Sequence, residues 1–451
     1  MQSIMHIVVL GAGIVGVQIA SKLIAEGKNI VVIEKNMERA QYVNSHLDCM
    51  VINEEGNNIH TLKKAGIEKA DIFISVTNSD EVNMIACALV DSEFTVPIKI
   101  ARVRNLDYSR LKITEKNFLG IDYIVNSEVE TARQIANIVA LGASSDVMLF
   151  ENTELQMRNI MITRNSYFRN RTLREIRHNI KESFLMAGIL RDSEFIIPTG
   201  DTMVKENDNV YLLATQKEFT RLFIQTGRKQ ENIDRIVIIG GGKIGSLVCQ
   251  YLIRTGRKIT IIDNSYDNCK ILSEKFPEAL VLNADISDED IFDEEQLNKY
   301  DLIIATTDNQ ELNILTSIYA KTLGTRRSIA LVNKSNYLPI ASKLDIDATI
   351  SPKMSTVDAI MKFIRRGEIK SIHSIFDGKA EVIEFSVDGN NQLARKKIKD
   401  MELPANSLIL SIVRDNMNVL PDGNLVIEPG DVAIIIASKT SINKIEEYLA
   451  G

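Results

Sequence analysis

"LGAGIVGVQIASKLIAEGKNIVVIEK" spans residues 10–35, and its reading decides how the rest of the chain is read. Gly11, Gly13 and Gly16 stand in G-x-G-x-x-G spacing between an apolar β-branched run and a helical pattern. Glu34 ends the next apolar run, 18 residues after Gly16. Each part has a physical use in holding a dinucleotide. Small residues let the backbone approach a pyrophosphate, and the following helix offers free N–H groups and the positive end of its dipole. A carboxylate at the end of the second strand accepts hydrogen bonds from ribose hydroxyls. An acid there disfavours a 2′-phosphate, so NAD or adenosine is expected rather than NADP. A lone glycine fingerprint is a weak signal; here strand, helix and acid are all in place, and the whole arrangement recurs.

The recurrence is "IVIIGGGKIGSLVCQYLIRTGRKITIIDN", residues 236–264, where Gly240, Gly242 and Gly245 repeat the spacing and Asp263 follows Gly245 by 18 residues. "DIFISVTNSDEVN" (71–83) matches "DLIIATTDNQELN" (301–313), and "ILRDSEFIIPTGDTMVKENDNVYLLA" (189–214) resembles "IVRDNMNVLPDGNLVIEPGDVAIIIA" (412–437). The order is therefore A-B-A′-B′, a duplicated two-domain unit. Length alone, at 451 residues, suggests about three domains.

In the first A unit the runs IVVL, IVVIE, MVI, DIFISV and PIKIARV alternate with helical patterns. Short apolar runs without alternation indicate a parallel sheet covered on both faces, hence an α/β, Rossmann-like, doubly wound fold. Each A unit ends in an amphipathic helix, "SEVETARQIANIVALG" (127–142) and "STVDAIMKFIRRG" (355–367). Their stripes are Val129, Ala132, Ile135 and Ile138, then Val357, Ile360 and Ile364. Such a stripe must be buried, on its own sheet or on a neighbouring subunit, and Gly142 and Gly367 close the helices. The B units, with turn signals PTGD and PDGN, read as small α+β modules with a β-meander.

Composition narrows the function. Apolar residues make up 45% and charged residues 25%, with net charge −7. A broad nucleic-acid-binding face needs clustered Lys and Arg and is not expected. No apolar run approaches the roughly 20 residues that span a bilayer, and the opening MQSIMHIVVLGAG lacks the basic n-region of a signal peptide. Cys49, Cys87, Cys249 and Cys269 form no C-x-x-C pair and read as buried or idle thiols.

Several residues are candidates for contact with a ligand. Thr77 and Thr307 lie at the carboxyl end of a strand, where open α/β sheets hold ligands. Asn78 with Glu81, and Asp308 with Glu311, have capping-box spacing. Arg102, at the end of the fifth strand, reaches toward a phosphate or is an exposed strand-end arginine; its counterpart is Leu331. Glu128 suits a helix start or a divalent-cation site shared across an interface, and Lys353 stands in its place in A′. His6, His46, His60, His178 and His373 lack metal-binding spacing, and there is no G-x-S-x-G, so structural or surface histidines and no catalytic residue are expected.

These residues together, GAGIVG, Glu34 and SVTNSDEVN followed by the RD…P-G-D module and then repeated, resemble the tandem RCK family of cytoplasmic regulatory subunits of Trk-type potassium uptake systems. The resemblance covers essentially the whole chain. It implies RCK-N domains at 1–142 and 231–367 and RCK-C domains at 143–230 and 368–451. It implies NAD(H), ATP or ADP as regulatory ligands. On this basis Gly11, Ala12, Gly13, Ile14, Val15, Gly16, Glu34, Thr77 and Arg102 line the first site. Gly240, Gly242, Lys243, Ile244, Gly245, Asp263, Asp285 and Thr307 line the second. Glu128 matches the acid that in related RCK proteins can join a divalent-cation site near the nucleotide phosphates. Where the family often has Gly-Asp after the third strand, the second unit reads NADIS with Asp285 and the first NEEGN with Glu55. The resemblance further implies a homo-oligomeric ring, a tetramer in the family, under a TrkH/TrkG-like membrane potassium-translocating subunit. It gives no role to nucleic acid. The rival readings are an NAD-dependent oxidoreductase, which needs an acid or base near the nicotinamide, and a structural ring scaffold with degenerate cradles.

Overall fold

The structure is a computed structural model. It describes residues 5–109, 118–140, 147–150, 153–192, 194–226, 233–288, 290–334, 337–341, 344, 346–364, 369–375, 380–389, 391–415, 417–419, 421–438, 441, 444–445 and 448. The expected helix-closing glycines Gly142 and Gly367, and the three expected domain joins, lie outside these residues.

The strands HIVVL (His6–Leu10) and RIVII (Arg235–Ile239) carry no polar alternation because they are buried centrally in their sheets. Each lies in a six-stranded sheet of order third-second-first-fourth-fifth-sixth. All pairings are parallel: Val8 sits between Val31 and Phe73, and Val237 between Thr260 and Ile303. This is the doubly wound order, with its switch point between the first and fourth strands. The sixth strands, Tyr123–Val125 and Ala348–Ile350, have three residues each and were not among the runs read from the sequence.

Contacts divide the chain into two compact units that are not contiguous in sequence. One comprises Met1–Ala143 and Ile233–Phe363, the other Ser144–Asn232 and Ile364–Gly451. The two Rossmann-like domains thus form one body, and the crossover helix Ser127–Ala140 explains why. Of its expected stripe, Ala132 and Ile135 are fully buried and Val129 and Ile138 partly so. With Val139, in place of Ile138 as the third buried residue, Ala132 and Ile135 pack with Val248, Cys249 and Leu252 of the second domain's cradle helix Lys243–Ile253, and with Ile236 and Ile259. The sequence predicts burial on its own sheet or on a neighbouring subunit; the stripe is covered instead by the second repeat of the same chain, because the crossover helix leaves its own sheet. The counterpart helix, Pro352–Ile364, buries Val357, Ile360 and Met361, with Ile364 partly buried. Its Asp358 pairs with Lys22 of the first cradle helix Ile14–Ala25 at 2.9 Å. Ser355 Oγ meets Gln134 Oε1 at 2.6 Å, and Tyr123 stacks on Phe363.

In the other unit each B module has a five-stranded antiparallel sheet of the same connectivity. Leu155–Met161 pairs with Asn209–Thr215, which pairs with Leu185–Arg191. Ala380–Ser386, Val432–Ser438 and Ser407–Arg414 repeat that arrangement. The modules share a core in which Phe150, Met157, Ala187 and Leu213 pack with Val382, Leu410, Ile434 and Ile436. The arginine of the repeated RD motif has a structural use. Arg191 Nε and Nη2 clamp Asp208 at 2.8 Å each, and Arg414 clamps Asp431 in the same way. Both acids are nearly fully buried and also accept backbone N–H groups of the turn before the long strand.

Truncating Ile135 to Ala removes side chain from the shared core and should cost about 2–5 kcal/mol. Arg133→Ala, on the exposed face of the same helix, should stay within about 0.5 kcal/mol. Urea unfolding of both variants checks this; equal losses would mean that the stripe is not the buried face.

Candidate functional site

The chain leaves the first strand at the switch point and turns through Gly11, whose φ is +106°. A Cβ there would press on the backbone of Thr77, 3.1 Å from its nitrogen. Gly16 has less room still: a Cβ would lie 1.8 Å from the Gly11 carbonyl oxygen. These two glycines let the turn and helix close on each other. Gly13 differs, since a Cβ would meet nothing within 4 Å. It is the N-cap of Ile14–Ala25 and makes no side-chain cap, whereas Asn36, Asn58 and Ser79 cap the other helices of this domain. The first-turn N–H groups therefore face an open cradle without a side-chain acceptor, which suits a phosphate. Ala12 and Val15 are buried, so they present only backbone to the cradle, while Ile14 is exposed at the lip.

Glu34 is 6% exposed. Its Oε2 accepts the Ala12 N–H at 2.6 Å and its Oε1 accepts the Asn36 N–H at 2.8 Å. It braces the glycine turn, and each oxygen retains a lone pair for a ribose hydroxyl. Asn53 Nδ2 donates to the Glu34 carbonyl at 2.8 Å and holds the strand end in place.

The second cradle copies this. Gly240 has φ +91°, Gly245 would place a Cβ 2.0 Å from the Gly240 oxygen, and Gly242 faces open space as an uncapped N-cap. Asp263 accepts the Gly241 N–H at 2.7 Å and the Ser265 N–H at 2.9 Å. Asn283 holds the Asp263 carbonyl as Asn53 holds that of Glu34. Lys243 is exposed at the lip in the place of Ile14, and Ile244 is partly buried. Asp285 is exposed and makes its hydrogen bonds within its own turn; those from Ser287 hold its carboxyl below the usual range. Its counterpart Glu55 is also exposed.

Thr77 and Thr307 stand beside the first glycine of each cradle, fixed by a residue that was not singled out from the sequence. Asn83 Oδ1 accepts from the Thr77 N–H and hydroxyl at 2.8 and 2.7 Å, and its Nδ2 donates to the carbonyls of Thr77 and Arg102. Asn313 does the same for Thr307 and Leu331. Both asparagines are fully buried. The signal was present, as the final N of TNSDEVN and TDNQELN. The cap register is also corrected by one residue. Ser79 and Asn309, not Asn78 and Asp308, accept the first-turn N–H groups, and Glu81 accepts instead from the Ser79 hydroxyl.

Arg102 is no exposed strand end. Its Nε donates to Ser127 Oγ at 3.1 Å, and burial, with Arg104 beside it, lowers its pKa against the opposing pull of Glu128 and Asp80. Its counterpart Leu331 is buried. Glu128 Oε2 is buried without a hydrogen-bond partner. Among the described residues no three His, Cys, Asp or Glu side chains come together to hold a metal, and the charge of Glu128 already acts on Arg102. The thiols are poor nucleophiles: burial pushes Cys249 up to about 11 and raises Cys87 further.

The TrkA-N domain family matches residues 7–127 and 236–352, and the TrkA-C domain family matches 157–223 and 382–450. The Trk system potassium uptake protein TrkA of Halomonas elongata is 30% identical over 98% of this chain and 98% of its own length. The TrkA homolog of Archaeoglobus fulgidus is 30% identical over 98% and 99%. Among solved structures, the GsuK channel bound to NAD has a TM-score of 0.58 at 18% identity, covering 100% of this chain and 79% of that one. The GsuK RCK domain has a TM-score of 0.57 at 18% identity, covering 100% and 96%. At this identity the likeness shows the fold. No helix among the described residues is long and apolar enough to cross a membrane.

The two kinds of glycine separate folding from binding. Gly16→Ala should cost about 3 kcal/mol or more, because the clash is with backbone. Gly13→Ala should change stability by no more than about 1 kcal/mol. Thermal unfolding of the two variants reads the difference, and equal losses would refute the open-cradle geometry.

Proposed function

The chain belongs to the TrkA family, built from tandem TrkA-N and TrkA-C domains, and from that premise we propose that it is a nucleotide-sensing regulatory subunit of a potassium uptake system. Its ligand is NAD(H), ATP or ADP, and its output is a change in the conformation of the paired Rossmann-like domains. That change gates a TrkH/TrkG-like membrane partner from the cytoplasmic side. The observation that carries the reading is the twinned cradle: two uncapped helix starts over open glycines, each braced by a buried or half-buried carboxylate. Glu34 and Asp263 disfavour a 2′-phosphate, so NAD is preferred over NADP. NAD is also the nucleotide bound in the GsuK structure of the same fold.

A nucleotide acts as a signal only through differential affinity for two states. The cradles support this because Lys243–Ile253 packs at the interdomain core against Ser127–Ala140, and Ile14–Ala25 is tied to Pro352–Ile364 by the exposed Lys22–Asp358 pair. Homo-oligomer formation is supported by exposed apolar residues at matching positions of the two domains: Ile85 and Leu315 are 48% and 65% exposed on equivalent helices, with Tyr319 beside Leu315.

Calorimetric titration with NADH, NAD, ATP and ADP, repeated on Gly13→Asp and Gly242→Asp, tests the reading. Binding lost with the matching cradle, and no NADH turnover, is the expected result. Steady NADH oxidation with a small substrate would replace it with the oxidoreductase reading. Leu315→Asp should lower the oligomeric mass seen by light scattering; an unchanged mass would remove this face from the assembly.

A further inference from the structure

Arg102 and the helix that carries Lys353 come from different Rossmann-like domains and are joined through Ser127. Arg102 Nε donates to Ser127 Oγ, and the same oxygen is hydrogen-bonded to Thr356 Oγ1 at 2.9 Å. Lys353 lies three residues before Thr356 in Pro352–Ile364, on the same face of the first helical turn. It is half-buried, and both its burial and the charge of Arg102 lower its pKa. Two cations held together in a partly desolvated place repel each other strongly. Arg104 is occupied elsewhere, with Asp80 and the Asn78 carbonyl. Glu128 and Asp80 are the acids whose charge acts on Arg102, and Glu128 has a buried oxygen without a hydrogen bond.

A continuous set of contacts links this cluster to the first cradle. Gly11 abuts Thr77, Thr77 is held by Asn83, Asn83 also holds the Arg102 carbonyl, and Arg102 reaches Ser127 and so Thr356. The second cradle has no equivalent, because Leu331 and Glu128 occupy the matching positions.

We propose that Lys353 of the second Rossmann-like domain belongs to the nucleotide site of the first, where with Arg102 it holds the terminal phosphates of an adenine nucleotide. The inference rests on the nucleotide-sensing reading above. It makes the two cradles unlike in what they measure: the first counts phosphates, and filling it ties the two domains together, while the second reads only nucleoside and pyrophosphate. Bound phosphate relieves the repulsion between Arg102 and Lys353 and makes the packed arrangement of the domains the favoured one.

The test is calorimetry with adenosine, ADP and ATP on the full chain carrying Gly242→Asp, so that the first cradle is read alone. Lys353→Gln should weaken ATP binding about tenfold, that is, by about 1.4 kcal/mol, and leave adenosine affinity unchanged. Lys353→Arg, which retains the charge, should keep ATP affinity within about twofold. Thermal unfolding without nucleotide should show Lys353→Gln no less stable than the parent, since one of two facing like charges is gone, and ATP should raise its midpoint less than that of the parent. Unchanged ATP affinity in Lys353→Gln, at a first cradle that still binds adenosine, would overturn the inference and leave the nucleotide reading intact. Failure of every nucleotide to bind the parent would overturn both.

Discussion

The burial of one helical stripe governs the arrangement of the Rossmann-like half of this protein. Ala132, Ile135 and Val139 find their apolar partners on the second domain's cradle helix and sheet rather than on their own. Once that helix has crossed, the two domains cannot separate without exposing a continuous core, an unfavourable change of about 25 cal/mol for each Å² of apolar surface. The same packing sets Ser127 against Thr356 and so determines which polar side chains meet at the edge of that core.

The cradles are built on one plan and differ in charge. In both, a carboxylate takes one N–H from the glycine turn and one from the start of the next helix, so strand end, turn and helix form a single hydrogen-bonded unit. In both, a fully buried asparagine joins the ends of the fourth and fifth strands. An unpaired amide in such a place would carry a desolvation cost of about 1–3 kcal/mol, and these asparagines bond through both amide atoms. On this common frame the first domain places Arg102 and Glu128 where the second has Leu331 and Lys353. Duplication preserved the scaffold of the site, while the charges at its rim diverged.

The smaller modules repeat the lesson with a different bond. Each clamps a buried aspartate with a bidentate arginine and pins the turn that feeds a central strand. Breaking such a pair on one side leaves a buried charge uncompensated, at about 3–5 kcal/mol. These pairs are stability devices, which accounts for the recurrence of Arg191 and Arg414 in both modules without any chemistry.

The sequence by itself determined the local features. Glycine spacing, the acid 18 residues on, the unalternating strands and the A-B-A′-B′ repeat are written within windows of a few tens of residues, where backbone sterics and periodicity act. The stripe on Ser127–Ala140 was legible, but not the surface that covers it. Asn83 and Asn313 were visible as letters of a motif, yet their use depends on a strand end 18 or 19 residues away. The cap moved from Asn78 to Ser79 because the turn around Thr77 is shaped by that same asparagine. Tertiary structure alone decided that the first and second repeats share a core, and that Thr356, on the helix of Lys353, meets Ser127, to which Arg102 donates. The reason is that periodicity specifies which face of an element is apolar, whereas its partner is chosen by long-range packing, which leaves no trace in the spacing of residues along the chain.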